Sequence, residues 1–280
     1  GNVVHLGERE CSIQRRHQKI IEESPSSFLD EDIREQMGKQ AVLLAKSVGY
    51  YSAGTVEYIV NKKKEFFFLE MNTRLQVEHP VTEEVLNIDL VEQMINIANK
   101  KKLTIKQKNI KAKGWAFESR LCAESPEKNF LPSAGRITKL SYPTNEARID
   151  YGYKEGSNIS IFYDSMVAKV ISKSDSRKKA IELMINYLKK IDIRGVDTNL
   201  NFLIDIYNSE AFVKGEINTN FIDQKYRYGY TGAIENQSQV FKISLLAFSN
   251  KINYLISVNK NIKNISKSWI IKVEENQLSV

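Results

Sequence analysis

Two runs of β-branched and aromatic residues, at positions 55–60 and 66–71, constrain the fold of this chain more than any other feature. The polar segment 61–65 lies between them, so the pattern predicts a β-hairpin. If the turn is centred between Lys63 and Lys64, Glu57 faces Glu70 across the two strands. Directly opposed Cβ atoms lie about 4.5–5.5 Å apart, so two carboxylates would meet on one face.

A metal site follows from this pairing. Asn72 lies two residues beyond Glu70 and therefore shares its face of an extended strand. Glu57, Glu70 and Asn72 would then direct two carboxylates and an amide oxygen to one place. Hard oxygen ligands of this kind suit Mg²⁺ or Mn²⁺ bound together with phosphates.

The same alternation places Arg74, Gln76 and Glu78 on that face if the chain stays extended. The guanidinium of Arg74 offers a planar fork for a small oxyanion such as carboxylate, bicarbonate or phosphate. Glu78 beside it is a candidate general base. The alternative is a solvated strand of alternating charge, and the opposed Glu57 counts against it because facing carboxylates gain nothing in solvent.

Two further segments carry polar candidates, each with a structural alternative. Gln14, His17 and Lys19 belong to a predicted loop that would contact a nucleotide and an anion, or would be a basic surface loop. On the predicted strand 115–123, Arg120 would face a developing negative charge, or would form an ion pair with Glu118. We also expect Asp164 to orient a guanidinium and His79 to have a structural hydrogen-bonding role.

The remaining pattern predicts mixed helices and strands. Helices are expected at 30–49, 82–99, 177–190 and 199–207, the first capped by Asp30. Strands are expected at 3–9, 115–123, 135–140, 147–151 and 166–172. Segment 103–113 is a predicted linker, and β-hairpins are expected at 240–248, 252–258 and 268–273.

Bulk composition excludes several classes of protein. The 280 residues contain 42% hydrophobic and 27% charged residues, an ordinary globular balance, and no apolar run approaches the roughly 18 residues of a membrane helix. Neither a signal peptide, a P-loop, a GxGxxG loop nor a GxSxG elbow is present.

The two cysteines form no CxxC pair, which favours a reducing compartment. The net charge of +7 suggests a phosphate-bearing partner or a lysine-rich composition bias, and we favour the bias because the basic residues are scattered.

Several strings resemble the biotin carboxylase family of ATP-grasp enzymes. They are Cys11-Ser-Ile-Gln-Arg-Arg-His-Gln-Lys19, Gly54-Thr-Val-Glu57, Glu70-Met-Asn-Thr-Arg-Leu-Gln-Val-Glu-His-Pro-Val-Thr82, Phe130-Leu-Pro-Ser-Ala-Gly135 and Tyr163-Asp-Ser-Met166. The resemblance extends from the first residue to about Tyr228. Within the family, residues 193–196, 212–219 and 228–232 are most similar to α subunits of propionyl-CoA carboxylases.

The resemblance implies a role for each matching residue. Glu78 would deprotonate bicarbonate, and Arg120 would hold bicarbonate and stabilise the biotin enolate. The other implied sites are ATP contacts at Gln14, His17 and Ile59; a bicarbonate cradle at Lys19, Arg74, Gln76 and Val77; and metal ligands at Glu57, Glu70 and Asn72.

The implied fold class is α+β. Residues 1–106 would be the C-terminal part of an ATP-grasp domain, an antiparallel sheet with helices. Residues 107–228 would be the biotin carboxylase C-terminal α/β domain. Residues 229–280 would start a β-rich transfer region that docks a carboxyltransferase β subunit. The family's N-terminal domain and biotinyl domain would lie outside the chain, so we expect the isolated fragment to lack ATPase activity.

The implied function is ATP- and bicarbonate-dependent carboxylation of protein-bound biotin within an acyl-CoA carboxylase. The cofactors would be ATP, Mg²⁺ or Mn²⁺, and biotin on a carrier domain, with bicarbonate as substrate. Partners would be that carrier domain and the β subunit in a homo- or hetero-oligomer, without nucleic acid or membrane. The location would be a bacterial cytoplasm or a mitochondrial matrix. Alternatives are methylcrotonyl-CoA, acetyl-CoA or pyruvate carboxylase, and a basic nucleic-acid-binding protein.

Overall fold

The computed structural model describes residues 2–232, 237–258, 270–273 and 276–279. The chain forms two units, Gly1–Tyr230 and Thr231–Val280. Among the described residues, no helix is both long enough and apolar enough to span a bilayer.

The first half of the larger unit alternates short strands with helices. Its elements are β1 (Glu10–Arg15), β2 (Gln18–Ser24), α1 (Glu31–Ser47), β3 (Thr55–Val60), β4 (Phe66–Asn72), α2 (His79–Leu86) and α3 (Leu90–Ala98). Helix α1 is capped as predicted, because the Asp30 side chain accepts the N–H of Ile33 at 3.1 Å.

The second half is richer in strands. Its elements are β5 (Trp115–Cys122), β6 (Glu124–Ser125), β7 (Leu131–Pro132), β8 (Gly135–Arg136), β9 (Lys139–Ser141), β10 (Arg148–Tyr151), β11 (Asn158–Ile159), β12 (Met166–Ser174), α4 (Arg177–Lys189), β13 (Asp192–Arg194), α5 (Leu200–Asn208), α6 (Glu210–Lys214) and α7 (Phe221–Lys225). Two 3₁₀ turns, Gln107–Asn109 and Pro126–Lys128, connect strands and helices.

One antiparallel sheet organises this unit, in the order β1-β2-β5-β12-β10. Strands β2 and β5 are neighbours in this sheet, although they lie on either side of the domain boundary predicted between residues 106 and 107. That boundary stays a prediction. On one face, Phe117 and Leu121 of β5 are fully buried in a core that also contains residues of α4 and α5. Burying these side chains is the main source of stability for such a sheet.

The opposite face of β5 is covered by α2. Val81 and Val85 of this helix pack on Ala116. Because side chains alternate along a strand, Ala116, Glu118 and Arg120 share this face. The chain entering α2 at Glu78 therefore lies over the polar end of β5.

The predicted hairpin is confirmed. Strands β3 and β4 pair antiparallel in the expected register, with Glu57 opposite Glu70 and Thr55 opposite Asn72. The register shifts between Glu57 and Tyr58, which indicates a bulge beside the carboxylate pair.

Four local predictions in this unit are wrong. Residues 3–9 form no regular strand. Gln14 and Lys19, predicted in a loop, are register partners on β1 and β2, because the turn between these strands is confined to Arg16 and His17, whose φ angles are 48° and 67°. The predicted helix at 82–99 is two helices, because Asn87 adopts a left-handed conformation with φ 55° and ends α2. The predicted strand at 135–140 is divided between β8 and β9.

The smaller unit corrects the expectation of a wholly β-rich start. Residues 240–248 and 252–258 lie in a single helix, α8 (Gln237–Val258). Short apolar runs do not distinguish strand from helix, and no Gly or Pro interrupts this stretch. The predicted hairpin nearer the end is confirmed in part, since β14 (Ile270–Val273) pairs antiparallel with β15 (Asn276–Ser279); residues 268 and 269 lie outside the described residues. The mixed helix and antiparallel sheet of the whole chain agrees with the predicted fold class.

Candidate active site

The carboxylate of Glu78 is the centre of the site. Lys19 Nζ of β2 lies 2.6 Å from its Oε1, and Arg120 Nη2 of β5 lies 3.0 Å from its Oε2. The Glu78 side chain is only 3% exposed. Two cations from two strands therefore flank a buried carboxylate at the start of α2, each on its own oxygen.

These neighbours decide the protonation of Glu78. Burial by itself would raise the pKa of this carboxyl, but the hydrogen bond from Lys19 and the charges of Arg9 and Lys19 outweigh it. The pKa therefore lies below its ordinary value, and the group is a carboxylate at neutral pH. Each of its oxygens keeps a second lone pair, so Glu78 can still accept a proton.

Arg120 is held by a second carboxylate. Its Nε donates to Glu22 Oε1 at 2.8 Å, while Nη2 contacts Glu78. Burial lowers the pKa of Arg120, but the charges of Glu22 and Glu78 act in the opposite direction and raise it above its ordinary value, so the guanidinium remains charged. The expected ion-pair alternative for Arg120 is wrong in its partner, since the guanidinium contacts Glu22 and Glu78 rather than Glu118.

The hairpin provides the candidate metal site. Asn72 Nδ2 donates to Glu57 Oε1 at 3.1 Å and to Glu70 Oε1 at 2.9 Å, so the three predicted ligands lie together. Lys19 Nζ is 3.0 Å from Glu57 Oε1, and Gln76 Nε2 donates to the same oxygen at 2.8 Å. Two carboxylates are thus held by amide and ammonium donors, where a divalent cation would also be favourable.

This donor set fits Mg²⁺ or Mn²⁺ bound with phosphates. The site does not contain a complete set of protein ligands, since within the described ranges no group of three or more His, Cys, Asp and Glu side chains could hold a metal ion. It provides two carboxylates and one amide, which leaves coordination positions for water and phosphate oxygens.

The chain does not stay extended beyond β4, so the predicted alternation to Glu78 is wrong as geometry. Arg74 lies exposed at the rim, where Nη2 donates to Asn72 Oδ1 at 3.3 Å. Gln76 and Glu78 are instead buried by the turn into α2. The Val77 carbonyl accepts a hydrogen bond from Lys169 Nζ at 3.1 Å.

The predicted nucleotide contacts lie on two hairpins, β1–β2 and β3–β4. Gln14 is opposite Lys19 in the β1–β2 pairing, and His17 lies exposed in the turn between these strands. Ile59 on β3 is 50% exposed, and its register partner Phe67 is 54% exposed, so apolar side chains of this hairpin lie open at the surface.

Two other predictions concern turn residues. Asp164 Oδ1 accepts the N–H of Met166 at 2.8 Å, so its contact is a local turn rather than a guanidinium. His79 Nδ1 lies 3.2 Å from Glu83 Oε1, one turn along α2, but this buried nitrogen makes no hydrogen bond with the described residues, so the hydrogen-bonding role expected of His79 stays a prediction.

Sequence reasoning missed Arg9 and Glu22. The guanidinium of Arg9 donates to Gln76 Oε1, to Thr55 Oγ1 at 2.9 Å and to Thr82 Oγ1 at 3.2 Å, and so joins β3, the turn and α2. Glu22 is fully buried against Arg120. No alternation in β2 indicates that Glu22 is buried, because the last five residues of this strand are all buried, and no local pattern identifies its partner 98 residues away.

Two family models match the chain. Residues 1–106 match the carbamoyl-phosphate synthase L chain, ATP binding domain, and residues 118–224 match the biotin carboxylase C-terminal domain.

Curated proteins and solved structures give similar matches. The human mitochondrial propionyl-CoA carboxylase alpha chain is 48% identical over 90% of this chain and 35% of the relative. Biotin carboxylase 2 of Bacillus subtilis is 48% identical over 80% of this chain and 50% of the relative. A crystal structure of the Hydrogenobacter thermophilus 2-oxoglutarate carboxylase biotin carboxylase domain dimer, in complex with MgADP, ADP and bicarbonate, has a TM-score of 0.78 at 41% identity. The match covers 80% of this chain and 49% of the chain in that crystal structure. The chain spans about a third of the length of the propionyl-CoA carboxylase relatives.

Proposed function

The chain belongs to the biotin carboxylase family of ATP-grasp proteins, and from that premise we propose that it carries the bicarbonate- and metal-binding part of the active site of an acyl-CoA carboxylase. The observation that carries the proposal is the buried Glu78 carboxylate between Lys19 and Arg120. A base surrounded by fixed cations suits an anionic substrate that must lose a proton.

In the proposed reaction, Glu78 accepts the hydroxyl proton of bicarbonate. A bicarbonate oxygen bonds to the γ-phosphorus of ATP as the bond from that phosphorus to ADP breaks. Lys19, Arg74, Gln76 and the backbone of Val77 form the bicarbonate cradle. Because its pKa is low, Glu78 is ionised at neutral pH and can therefore accept the proton.

Arg120 has two tasks in this proposal. It holds bicarbonate beside Glu78, and it stabilises negative charge on the ureido oxygen of biotin when the carrier domain delivers it. Glu22 supports both tasks because its buried carboxylate accepts a hydrogen bond from Nε of Arg120 and so fixes the guanidinium.

The hairpin would hold the metal and part of the nucleotide. Glu57, Glu70 and Asn72 would bind Mg²⁺ or Mn²⁺, which supplies neutralisation of phosphate charge during the transfer. Gln14 and His17 would contact the nucleotide, and the exposed Ile59 would contact adenine.

The acceptor we propose is propionyl-CoA, because the names of several similar relatives favour it. Methylcrotonyl-CoA, acetyl-CoA and pyruvate carboxylases are the alternatives. The proposed partners are a biotinyl carrier domain and a carboxyltransferase β subunit in an oligomer, in a bacterial cytoplasm or a mitochondrial matrix. The net charge of +7 keeps nucleic-acid binding as a second candidate, which predicts salt-sensitive binding to any duplex.

The test of the proposal is Glu78→Gln in the full-length polypeptide that contains this chain. Bicarbonate-dependent ATP cleavage should fall by about 10²–10⁴-fold, the usual contribution of a positioned base. The KM for ATP should change little, because Glu78 is not among the nucleotide contacts. The control is Glu210→Gln, a carboxyl that is 81% exposed on α6. Unchanged turnover of the Glu78 variant would refute the assignment.

A further inference from the structure

Two buried carboxyl groups lie opposite each other beneath Arg120. Glu22 of β2 and Glu118 of β5 are register partners in the antiparallel sheet, and both are 0% exposed. Opposed residues point to the same face, with Cβ atoms about 4.5–5.5 Å apart. This is the face that α2 covers, so neither group reaches solvent.

Their hydrogen bonds are incomplete. Glu22 Oε1 accepts from Arg120, but Glu22 Oε2 and both oxygens of Glu118 have no donor among the described residues. Buried polar atoms without a partner are costly, and an unpaired buried charge costs far more. A single proton on Glu118 would turn one acceptor into a donor and supply the hydrogen bond that Glu22 Oε2 lacks.

The surrounding charges favour the same assignment. The titratable groups around the pair are Arg120, Glu78, Lys19, Lys169 and the buried thiol of Cys11. Burial, followed by the charge of Glu22, raises the pKa of Glu118 well above its ordinary value, and Lys169 and Arg120 offset this only in part.

Glu22 differs from Glu118 because Arg120 contacts it directly. Burial raises the pKa of Glu22 to about 7, whereas the opposing charge and hydrogen bond of the Arg120 guanidinium keep it below the pKa of Glu118. Of the two groups, Glu22 is therefore the one that keeps the negative charge. Like charges this close cannot both remain ionised in a buried site.

We propose that Glu118 is a neutral carboxylic acid that donates its proton to Glu22, and that Glu22 as a carboxylate holds Arg120 against Glu78. This inference rests on the proposed function for its catalytic meaning. Glu22 and Glu118 are positioning residues, because they act on the reaction through Arg120 and do not touch substrate. The pair gives the guanidinium a fixed anchor that remains when Arg120 changes partner from Glu78 to bicarbonate.

The decisive test is infrared difference spectroscopy of the full-length polypeptide at neutral pH, wild type minus Glu118→Gln. A protonated carboxylic acid gives a carbonyl stretching band, separate from carboxylate bands, that shifts in D₂O. We expect this band in wild type and its loss in the variant. Glu210→Gln, the exposed control, should not change it. A difference spectrum that shows only ionised carboxylate, with a bound water then supplying the missing donors, would overturn the proposal.

Kinetics test the positioning role separately. Glu22→Gln removes the charge that anchors Arg120 and should lower kcat/KM for bicarbonate on the order of 10–100-fold, as loss of a supporting partner does elsewhere. Glu118→Leu, which removes the donor, should also lower it, and Glu118→Gln should restore most of the loss because its amide donates to Glu22. Equal losses in the Leu and Gln variants, or unchanged kinetics in Glu22→Gln, would overturn the role.

The two arms separate this inference from the function it rests on. The infrared band depends on the proton between Glu22 and Glu118 and requires no turnover. A full-length wild type without bicarbonate-dependent ATP cleavage would refute the proposed function, while the band alone decides whether the pair shares a proton.

Discussion

Replacing Lys19 by Met should move the acid limb of the pH–activity profile to higher pH. Lys19 Nζ lies 2.6 Å from Glu78 Oε1, and its hydrogen bond is the largest of the effects that lower the pKa of that carboxyl. A group with a depressed pKa is active above that pKa, and its activity is lost as pH falls through it. Without Lys19 the pKa of Glu78 rises, so the loss begins at a higher pH.

The magnitude follows from the burial and from the charges that remain. An opposite charge at this distance shifts a carboxyl by about 1–3 units. Arg9 and Arg120 still act on Glu78 in the variant, so the rise in its pKa is smaller than the loss of every neighbouring cation would give. Solvent screening reduces it little, because the Glu78 side chain is almost completely buried.

The assay is kcat/KM against pH, measured as bicarbonate-dependent ATP cleavage by the full-length polypeptide, with the HCO₃⁻ concentration at each pH corrected for conversion to CO₂ so that the substrate's own titration does not set the acid limb. Lys19→Met will also weaken bicarbonate binding, so the position of the limb, rather than the height of the profile, is the readout. Lys19→Arg is the matched control, because it keeps the charge and should keep the limb near its wild-type position. An acid limb that does not move in Lys19→Met would refute the electrostatic account of Glu78.

Three further predictions concern stability, metal and completeness. Arg177→Met should destabilise the protein by about 3–5 kcal/mol, because it leaves the buried Glu23 carboxylate without its charged partner at 2.7 Å. Urea denaturation measures this loss through the fluorescence of Trp115, whose indole N–H also donates to Glu23. The control is Lys178→Met, an exposed neighbour whose replacement should change the free energy of unfolding little. Glu70→Gln should raise the Mg²⁺ concentration for half-maximal ATP cleavage on the order of tenfold or more, whereas Glu65→Gln on the same hairpin should leave the Mg²⁺ titration unchanged. Residues 1–280 alone should show no bicarbonate-dependent ATP cleavage, since the chain spans only about a third of its propionyl-CoA carboxylase relatives; measurable cleavage would contradict this.

Local sequence predicted those parts of the fold whose signals are local. The hairpin of β3 and β4 was predictable with its register, because the polar turn and the alternation on both sides fix the pairing of Glu57 with Glu70. Helix α1 was predictable with its cap because the capping Asp30 and the apolar residues that follow it are also local signals. Helix α8 was not, because its apolar runs have the length of strands and fit either structure.

The candidate site is divided in the same way. The proposed metal ligands, Glu57, Glu70 and Asn72, lie on one hairpin, so a pattern of period two was enough to bring them together. The chain turns after Asn72, and Glu78 joins the site through that turn rather than through an extended strand. The structure therefore brings the predicted residues close together, since Lys19 contacts both Glu57 and Glu78, but through a different backbone geometry from the one predicted.

The sequence by itself determined which chemical groups this protein has and which of them are neighbours along a strand. Only the tertiary structure decided their charge state. Glu78 is an ionised carboxylate because β2 and β5 place Lys19 and Arg120 on its two oxygens. Glu22 and Glu118 meet because residues 96 positions apart are register partners in one buried sheet. The physical reason is that a pKa depends on burial and on charges within a few ångströms, and in a folded chain those neighbours come from distant segments.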